Sequence, residues 1–452
     1  MGYKKSDFLK IWFLIFLIGG LGFGLFTMIK NNTRPQQEKP VEIVEEVKGD
    51  AQTVDCTHIE PLVQNIVDSV FLDRKWYLKE HGDSEILLEV ENTDIASTDT
   101  KFLTLLYTVG DITKKMVYSQ ESDKWIGKVN LNDLEVGNHT LVLSVDIKDC
   151  EFNGKKELPF TLSYPVYVTW TLDWEGTDVK QSNLDRIVNI SSKYGIPVTH
   201  FFNPYIYYIA SANRSKAVTD WILNRKNAGD SIGLHLHMYE KYVRAAGVVP
   251  KQSYWGYDGY GKGYDTPTVE YSYEEFMKIL ALAKSDFLKH GLGTPTIYRA
   301  GGWFVNEEIL RAIEDSGFIA DASGRTPYKI GKNKLTGPWN LSSTTQPYIL
   351  NREDQNNTTN PNTKLWEVPN NGLDSWSFNA SQMIGAFKEN YSGDVSGSTK
   401  VVTYLSHPQG FEHDDPILHE VFTEISKYTY KSDSGPVIFI TIDKLPMLSE
   451  NR

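Results

Sequence analysis

From Tyr164 onward the chain repeats one pattern, an apolar strand-like run followed by an amphipathic helical stretch, and this order restricts the fold more than any other feature. Val166-Tyr167-Val168-Thr169-Trp170-Thr171-Leu172 is the kind of run that forms a strand buried on both faces. Leu184 to Tyr194 places apolar residues at helical spacing and stops at Gly195. Pro197 to Phe202 reads as a second strand, Ala217 to Lys226 as a second helix and Ser231 to His235 as a third strand. Ile297 to Trp303 contains a further strand end, followed by an amphipathic helix from Asn306 to Asp315, and Val401 to His407 is an apolar strand ending in histidine. Strands joined through helices run parallel with the helices outside, so residues 164–452 are expected to form an α/β domain. A barrel and an open sheet both satisfy the pattern, and in both the carboxyl ends of the strands gather ligands.

The rest of the chain divides by composition. Ile11 to Ile29 carries no charge and is about long enough, as a helix, to cross a hydrocarbon core. No small-residue cleavage site follows it, so residues 1–30 are expected to be an uncleaved single-pass membrane anchor. Lys4, Lys5 and Lys10 before the span are balanced by Lys30, Arg34 and Lys39 after it, so flanking charge does not orient it. Gly20 and Gly24 form a GxxxG through which a weak homodimer is conceivable. Residues 31–54 are polar, acidic and punctuated by proline, as in a stalk. Residues 55–163 contain short runs of period-two alternation, such as Glu85 to Val90 and Thr140 to Val145, separated by turn signals at Asn92-Thr93-Asp94, Val109-Gly110-Asp111 and Val136-Gly137-Asn138. They are expected to form a small all-β sandwich resembling an immunoglobulin-like module. Cys56 and Cys150 bracket this region and are candidates for a disulfide, which would place the folded domains outside the cytoplasm; two separate thiols are the alternative. The net charge of −12 argues against a nucleic-acid binder, which needs a basic stripe.

The chemistry-bearing residues fall at the predicted strand ends. Asp173 and Glu175 close the first strand and, two residues apart in an extended segment, share a face. Two carboxylates side by side repel unless a cation or a proton intervenes. His235 and His237 close the third strand with the same spacing, and two imidazoles with a carboxylate make the ligand set of an open catalytic zinc site. Arg299 ends a later strand and can clamp a carboxylate; His407 stands where a general acid or base is useful.

Together these segments resemble the polysaccharide deacetylase family, the NodB-like carbohydrate esterases, over roughly Val166 to the end. The likeness is carried by Thr171-Leu172-Asp173-Trp174-Glu175, by Lys193-Tyr194-Gly195-Ile196-Pro197-Val198-Thr199-His200-Phe201-Phe202, by Gly229 to His235, by Tyr298-Arg299-Ala300-Gly301-Gly302 with Ser316 to Asp321 after its helix, and by Tyr404-Leu405-Ser406-His407. It implies a (β/α) barrel and the metal-dependent removal of acetyl groups from a cell-surface or extracellular polysaccharide. Glu175, His235 and His237 would hold a divalent metal, zinc in the first instance; Asp173 would be the base, Arg299 its partner and His407 the acid. Two departures stand out: Trp174 separates an acidic pair that the family keeps adjacent, and Tyr239 occupies the position of the family's second histidine. The fourth motif is placed at Trp366-Glu367-Val368-Pro369, with Asp374 as a candidate for orienting His407. Tyr239, Trp255, Trp303 and Trp366 are the aromatic candidates for substrate contact, the first two in the tyrosine- and glycine-rich stretch between Met238 and Phe276. The competing reading is a non-catalytic carbohydrate-binding surface protein that keeps the fold.

Overall fold

The structure, a computed structural model, describes residues 55–91, 100–252 and 266–449. The expected membrane segment with Gly20 and Gly24, the stalk at 31–54, the turn at Asn92 and Trp255 with the loop around it lie outside the described residues. Among the described residues no helix is long and apolar enough to cross a membrane.

The first region opens with a helix rather than a strand. Helix α1 (Cys56–Ser69) forms because Ile59, Val63, Ile66 and Val67 fall on one face and are all buried, while Asp55 caps it by accepting from Thr57 N at 3.2 Å. Pro61 within it deletes one helical N–H and disguises the pattern in the sequence. Eight strands follow: β1 (Trp76–Leu78), β2 (Glu85–Glu91), β3 (Leu103–Val109), β4 (Ile112–Lys115), β5 (Val117–Ser119), β6 (Lys124–Asn130), β7 (Gly137–Ile147) and β8 (Asn153–Ser163). They make a five-stranded sheet, order β1-β8-β7-β3-β4, and a three-stranded sheet, order β2-β6-β5. Every pairing is antiparallel except β1 with β8. Alternate residues point inward, Ile86, Leu88 and Val90 from one sheet meeting Leu105, Leu143 and Val145 from the other, and the apolar face of α1 joins the same cluster. A disulfide links Cys56, at the start of α1, to Cys150 in the β7–β8 connection.

The second region follows after two residues. Its elements are β9 (Val166–Asp173), α2 (Gln181–Tyr194), β10 (Val198–Phe202), α3 (Ala212–Asn227), β11 (Ser231–Leu236), α4 (Glu240–Ala245), α5 (Tyr273–Lys289), β12 (Ile297–Ala300), α6 (Glu307–Asp315), β13 (Ala320–Asp321), the hairpin β14 (Lys329–Ile330) and β15 (Leu335–Thr336), β16 (Tyr348–Ile349), β17 (Trp366–Glu367), α7 (Ala380–Asn390), β18 (Lys400–Ser406), α8 (Phe411–Ile425) and β19 (Val437–Phe439). Local signals set the helix ends: Gly195 terminates α2 in the left-handed region at φ 65°, and Asn306 caps α6 by accepting from Ile309 N. The main sheet runs β16-β17-β13-β12-β11-β10-β9-β18, with β19 also paired to β9, and all of its ladders are parallel except β16 with β17. The sheet curls until the chain beyond β17 bonds to β18, through Gly372 N to Thr403 O (2.9 Å) and Leu405 N to Leu373 O (3.1 Å). Residues on the inside, among them Tyr167, Phe201, Ile297, Val401 and Ile442, fill the interior, so the curl is a packed core rather than a pore. Parallel register brings the strand ends level: Phe201 pairs with Asp173, His235 with Arg299, and Ser406 with Leu172.

The two regions are stitched together by polar contacts. The Asp433 carboxylate accepts from Lys75 N and Trp76 N, each at 2.9 Å, and Tyr430 donates to Asp83 at 2.6 Å. The disulfide closes a sequence separation of 94 residues. In the chain-entropy account such a closure stabilises by about 4–5 kcal/mol. Replacing both cysteines by serine is expected to lower the unfolding free energy by several kcal/mol of that order, checked by denaturant titration against the oxidised protein.

Candidate metal centre and cleft

Six sequence-predicted residues converge at the carboxyl ends of β9, β11, β12 and β18. Asp173, Glu175, His235, His237 and His407 all line one cleft of about 580 Å³, and Arg299 lies buried behind it. One ligand atom from each of Glu175, His235 and His237 falls within 4.8 Å of the other two. Glu175 Oε2 is 2.8 Å from His237 Nε2, and Glu175 Oε1 is 3.9 Å from His235 Nε2 and 3.6 Å from His407 Nε2. Burial alone would raise the Glu175 carboxyl, but His237, His235 and His407 around it hold it well below the usual carboxylate range.

His235 is the clearest sign that a cation fits here. Its Nδ1 is 3.0 Å from the Arg299 carbonyl oxygen, which can only accept, so Nδ1 carries the proton and Nε2 presents a lone pair. That Nε2 is buried and has no hydrogen-bond partner among the described residues. Burial pushes the ring down to about 4, against the pull of Asp173 and Glu175, so the imidazole is neutral, the form that ligates. Space for the second histidine comes from Gly301, where a Cβ would lie 2.7 Å from His237 Cγ.

Asp173 is held by a different device. Arg299 Nη1 donates to Asp173 Oδ1 at 2.8 Å and to Thr171 Oγ1 at 2.7 Å, while its Nε donates to Ala322 O at 2.7 Å. The guanidinium is fully buried over the Phe201 ring, so it needs the carboxylate as much as the carboxylate needs it. Asp173 Oδ2 has no hydrogen-bond partner among the described residues. Beneath this pair Asp321 and Glu367, register partners across β13 and β17, are both pushed up by burial.

The two departures noted in the sequence have physical explanations. Trp174 alternates away from Asp173 and Glu175, is buried, and donates from Nε1 to His200 Nδ1 at 3.3 Å. His200 Nε2 lies 3.0 Å from Asp230 Oδ2, which also accepts from Arg225 Nε at 2.7 Å. The intervening residue is thus an anchor that leaves both carboxylates on the cleft side. Tyr239 does not line the cleft: it is 2% exposed, donates its hydroxyl to the Glu175 carbonyl oxygen at 2.9 Å, and stacks on His237 with ring centroids 5.5 Å apart. It braces two of the proposed ligands.

Other expectations are corrected. Trp366 packs against the interior cluster of the barrel and does not line the cleft. Asp374 does line the cleft, but it meets Arg325 at 3.5 Å and accepts from Ser377 N at 2.8 Å, while His407 Nδ1 has no hydrogen-bond partner among the described residues. Trp376 sets its edge toward the His407 ring instead, at 6.2 Å. Trp303 does line the cleft, under the Arg325 guanidinium at 4.0 Å. Sequence reasoning missed Arg325, Tyr328 and Trp376; of these only Trp376, two residues past Asp374, carried any signal, and the other two come from an irregular segment.

No family model matches the chain, and no curated protein matches it. Solved structures do. A Mycobacterium smegmatis protein assigned as a polysaccharide deacetylase is 15% identical, with a TM-score of 0.40, over 64% of this chain and 90% of that one. The chitin deacetylase of the fungal pathogen Colletotrichum lindemuthianum is 12% identical, with a TM-score of 0.35, over 63% and 90%. The peptidoglycan deacetylase PdaC of Bacillus subtilis is 12% identical, with a TM-score of 0.33, over 64% and 93%.

Two outcomes are expected from this geometry. Glu175→Gln, His235→Asn and His237→Asn should each reduce bound divalent metal by roughly 10- to 100-fold in affinity or more, measured by elemental analysis after dialysis, whereas Asp173→Asn should leave it unchanged. Burial would raise the Asp230 carboxyl, but His200 and Arg225 lower it below its ordinary value. The stability it contributes is therefore present above the ordinary carboxylate range and is lost as pH falls through the depressed pKa. Asp230→Asn should cost about 3–5 kcal/mol at neutral pH and less in acid, read by denaturant unfolding across pH.

Proposed function

We propose that this chain is a metal-dependent deacetylase that removes acetyl groups from a polysaccharide outside the cytoplasm, held at the membrane by its N-terminal apolar segment. One observation carries the reading: a carboxylate and two imidazoles close enough to share one cation stand in the same cleft as a second carboxylate gripped by a buried arginine. The Cys56–Cys150 disulfide supports an oxidising compartment, and the uncharged run from Ile11 to Ile29 supports an anchor.

Glu175, His235 and His237 would hold the cation, zinc by preference for this donor set, which when bound supplies Lewis acidity and a lowered pKa for water. Asp173 takes the proton of the attacking water, its Oδ1 fixed by Arg299 and its Oδ2 available to accept. His407, 3.6 Å from Glu175 on the β18 side of the cleft, delivers a proton to the departing nitrogen or oxygen, so that water is divided between acetate and the freed amine or hydroxyl. The exposed Trp376 offers a ring face for a sugar, and Trp303, capped by Arg325, lines the same cleft.

Incubated with a panel of N- and O-acetylated glycans, the full-length protein should release acetate, lose the activity to a chelator and regain it on metal return. Asp173→Asn should slow release by about 10²- to 10⁴-fold with metal retained. A metal-loaded protein that binds the panel and releases no acetate would establish the carbohydrate-binding alternative instead.

A further inference from the structure

The charges that line the cleft are largely cancelled in place. Asp173 is paired with Arg299 at 2.8 Å and Asp374 with Arg325 at 3.5 Å, while Glu175 lies 2.8 Å from His237 among the proposed metal ligands. Two lining side chains stand outside this scheme: Lys329 and Lys334 form no ion pair among the described residues. Both belong to the β14–β15 hairpin, whose turn is closed by Lys334 N donating to Gly331 O at 3.2 Å. The hairpin sequence KIGKNKLT carries lysines at 329, 332 and 334 and no acidic residue, within a chain of net charge −12.

The base of this wall is rigid where it meets the cleft. Arg325 lies 4.0 Å over the Trp303 ring and 4.6 Å over the Tyr328 ring, and Tyr328 donates its hydroxyl to Gly302 O at 2.6 Å. Lys329 directly follows Tyr328, so the first lysine springs from a fixed point in the wall of the cleft that the proposed metal ligands also line. A wall of unneutralised ammonium groups repels itself when the cleft is empty, and an anion from the ligand removes that repulsion.

We propose that the cleft recognises an anionic glycan, in which the acetylated sugar bears or adjoins a carboxylate or a phosphate whose oxyanion is held by Lys329 and Lys334. This rests on the glycan reading above and names the substrate class for that cleft. Lysine suits the task because it engages either oxyanion as a point charge without the planar match that arginine demands.

The test reads binding, so that it does not depend on turnover. Full-length protein carrying Asp173→Asn is titrated calorimetrically with three acetylated oligosaccharides of equal length, one bearing a uronate, one a phosphate and one neutral. At least one anionic oligosaccharide should bind about tenfold tighter than the neutral one, and the preference should fade with added salt. Adding Lys329→Gln and Lys334→Gln should abolish the preference while leaving the neutral affinity unchanged; the anionic arm that responds identifies carboxylate or phosphate. Equal affinity for all three, or a preference that survives the lysine changes, overturns the inference while the glycan reading stands. Failure of all three to bind overturns both.

Discussion

A single buried guanidinium organises the centre of this molecule. Arg299 reaches from β12 across to β9, where it bonds Asp173 and Thr171, and to the chain after β13, where it bonds Ala322 O. Its own carbonyl oxygen fixes the tautomer of His235 on β11. One residue therefore sets the proposed base with its side chain and a proposed metal ligand with its backbone. A charge this deeply buried persists only because its partners are supplied by β9 and by the chain just past β13, elements of one parallel sheet in fixed register, so the site and the sheet specify each other.

Around that centre the architecture places chemistry at the carboxyl ends of the strands and spends the rest of the barrel on packing. Tyr167, Phe201, Ile297, Val401 and Ile442 occupy the interior, and the helices cover the outside with residues such as Ile187, Val218, Ile279 and Ile313. Trp174 and Tyr239 belong to both systems. Each buries a large ring and spends its one polar atom on a contact behind the ligands, Trp174 on His200 and Tyr239 on the Glu175 carbonyl.

Much of the second region was legible because its strands are buried on both faces and end in polar pairs of period two. That pattern exposed β9, β10, β11, β12 and β18, and with them Asp173, Glu175, His235, His237, Arg299 and His407, which the structure brings to one cleft or directly behind it. The strands of the first region announced themselves by alternation, but α1 did not, since a proline at position 61 reads as a helix breaker. What stayed hidden comes from segments without a period. Arg325, Tyr328 and the lysine hairpin lie between β13 and β16, where neither helix nor strand spacing predicts which way a side chain turns. Tyr239 and Trp366 were misassigned for the same reason: aromatic residues near a site pack inward or face a ligand, and only the fold decides between them.

The link between Cys56 and Cys150 also bears on how this molecule withstands mechanical tension. A pull on the chain ahead of Cys56 enters the body at the first residue of α1 and passes at once through a covalent crosslink into the β7–β8 connection. Helix α1 and strands β1 to β6 lie off that path, so they are spared being peeled away one after another. Force is instead delivered to the end of the longest antiparallel ladder in the sandwich, whose hydrogen bonds run from Gly137–Leu162 to Asp146–Asn153.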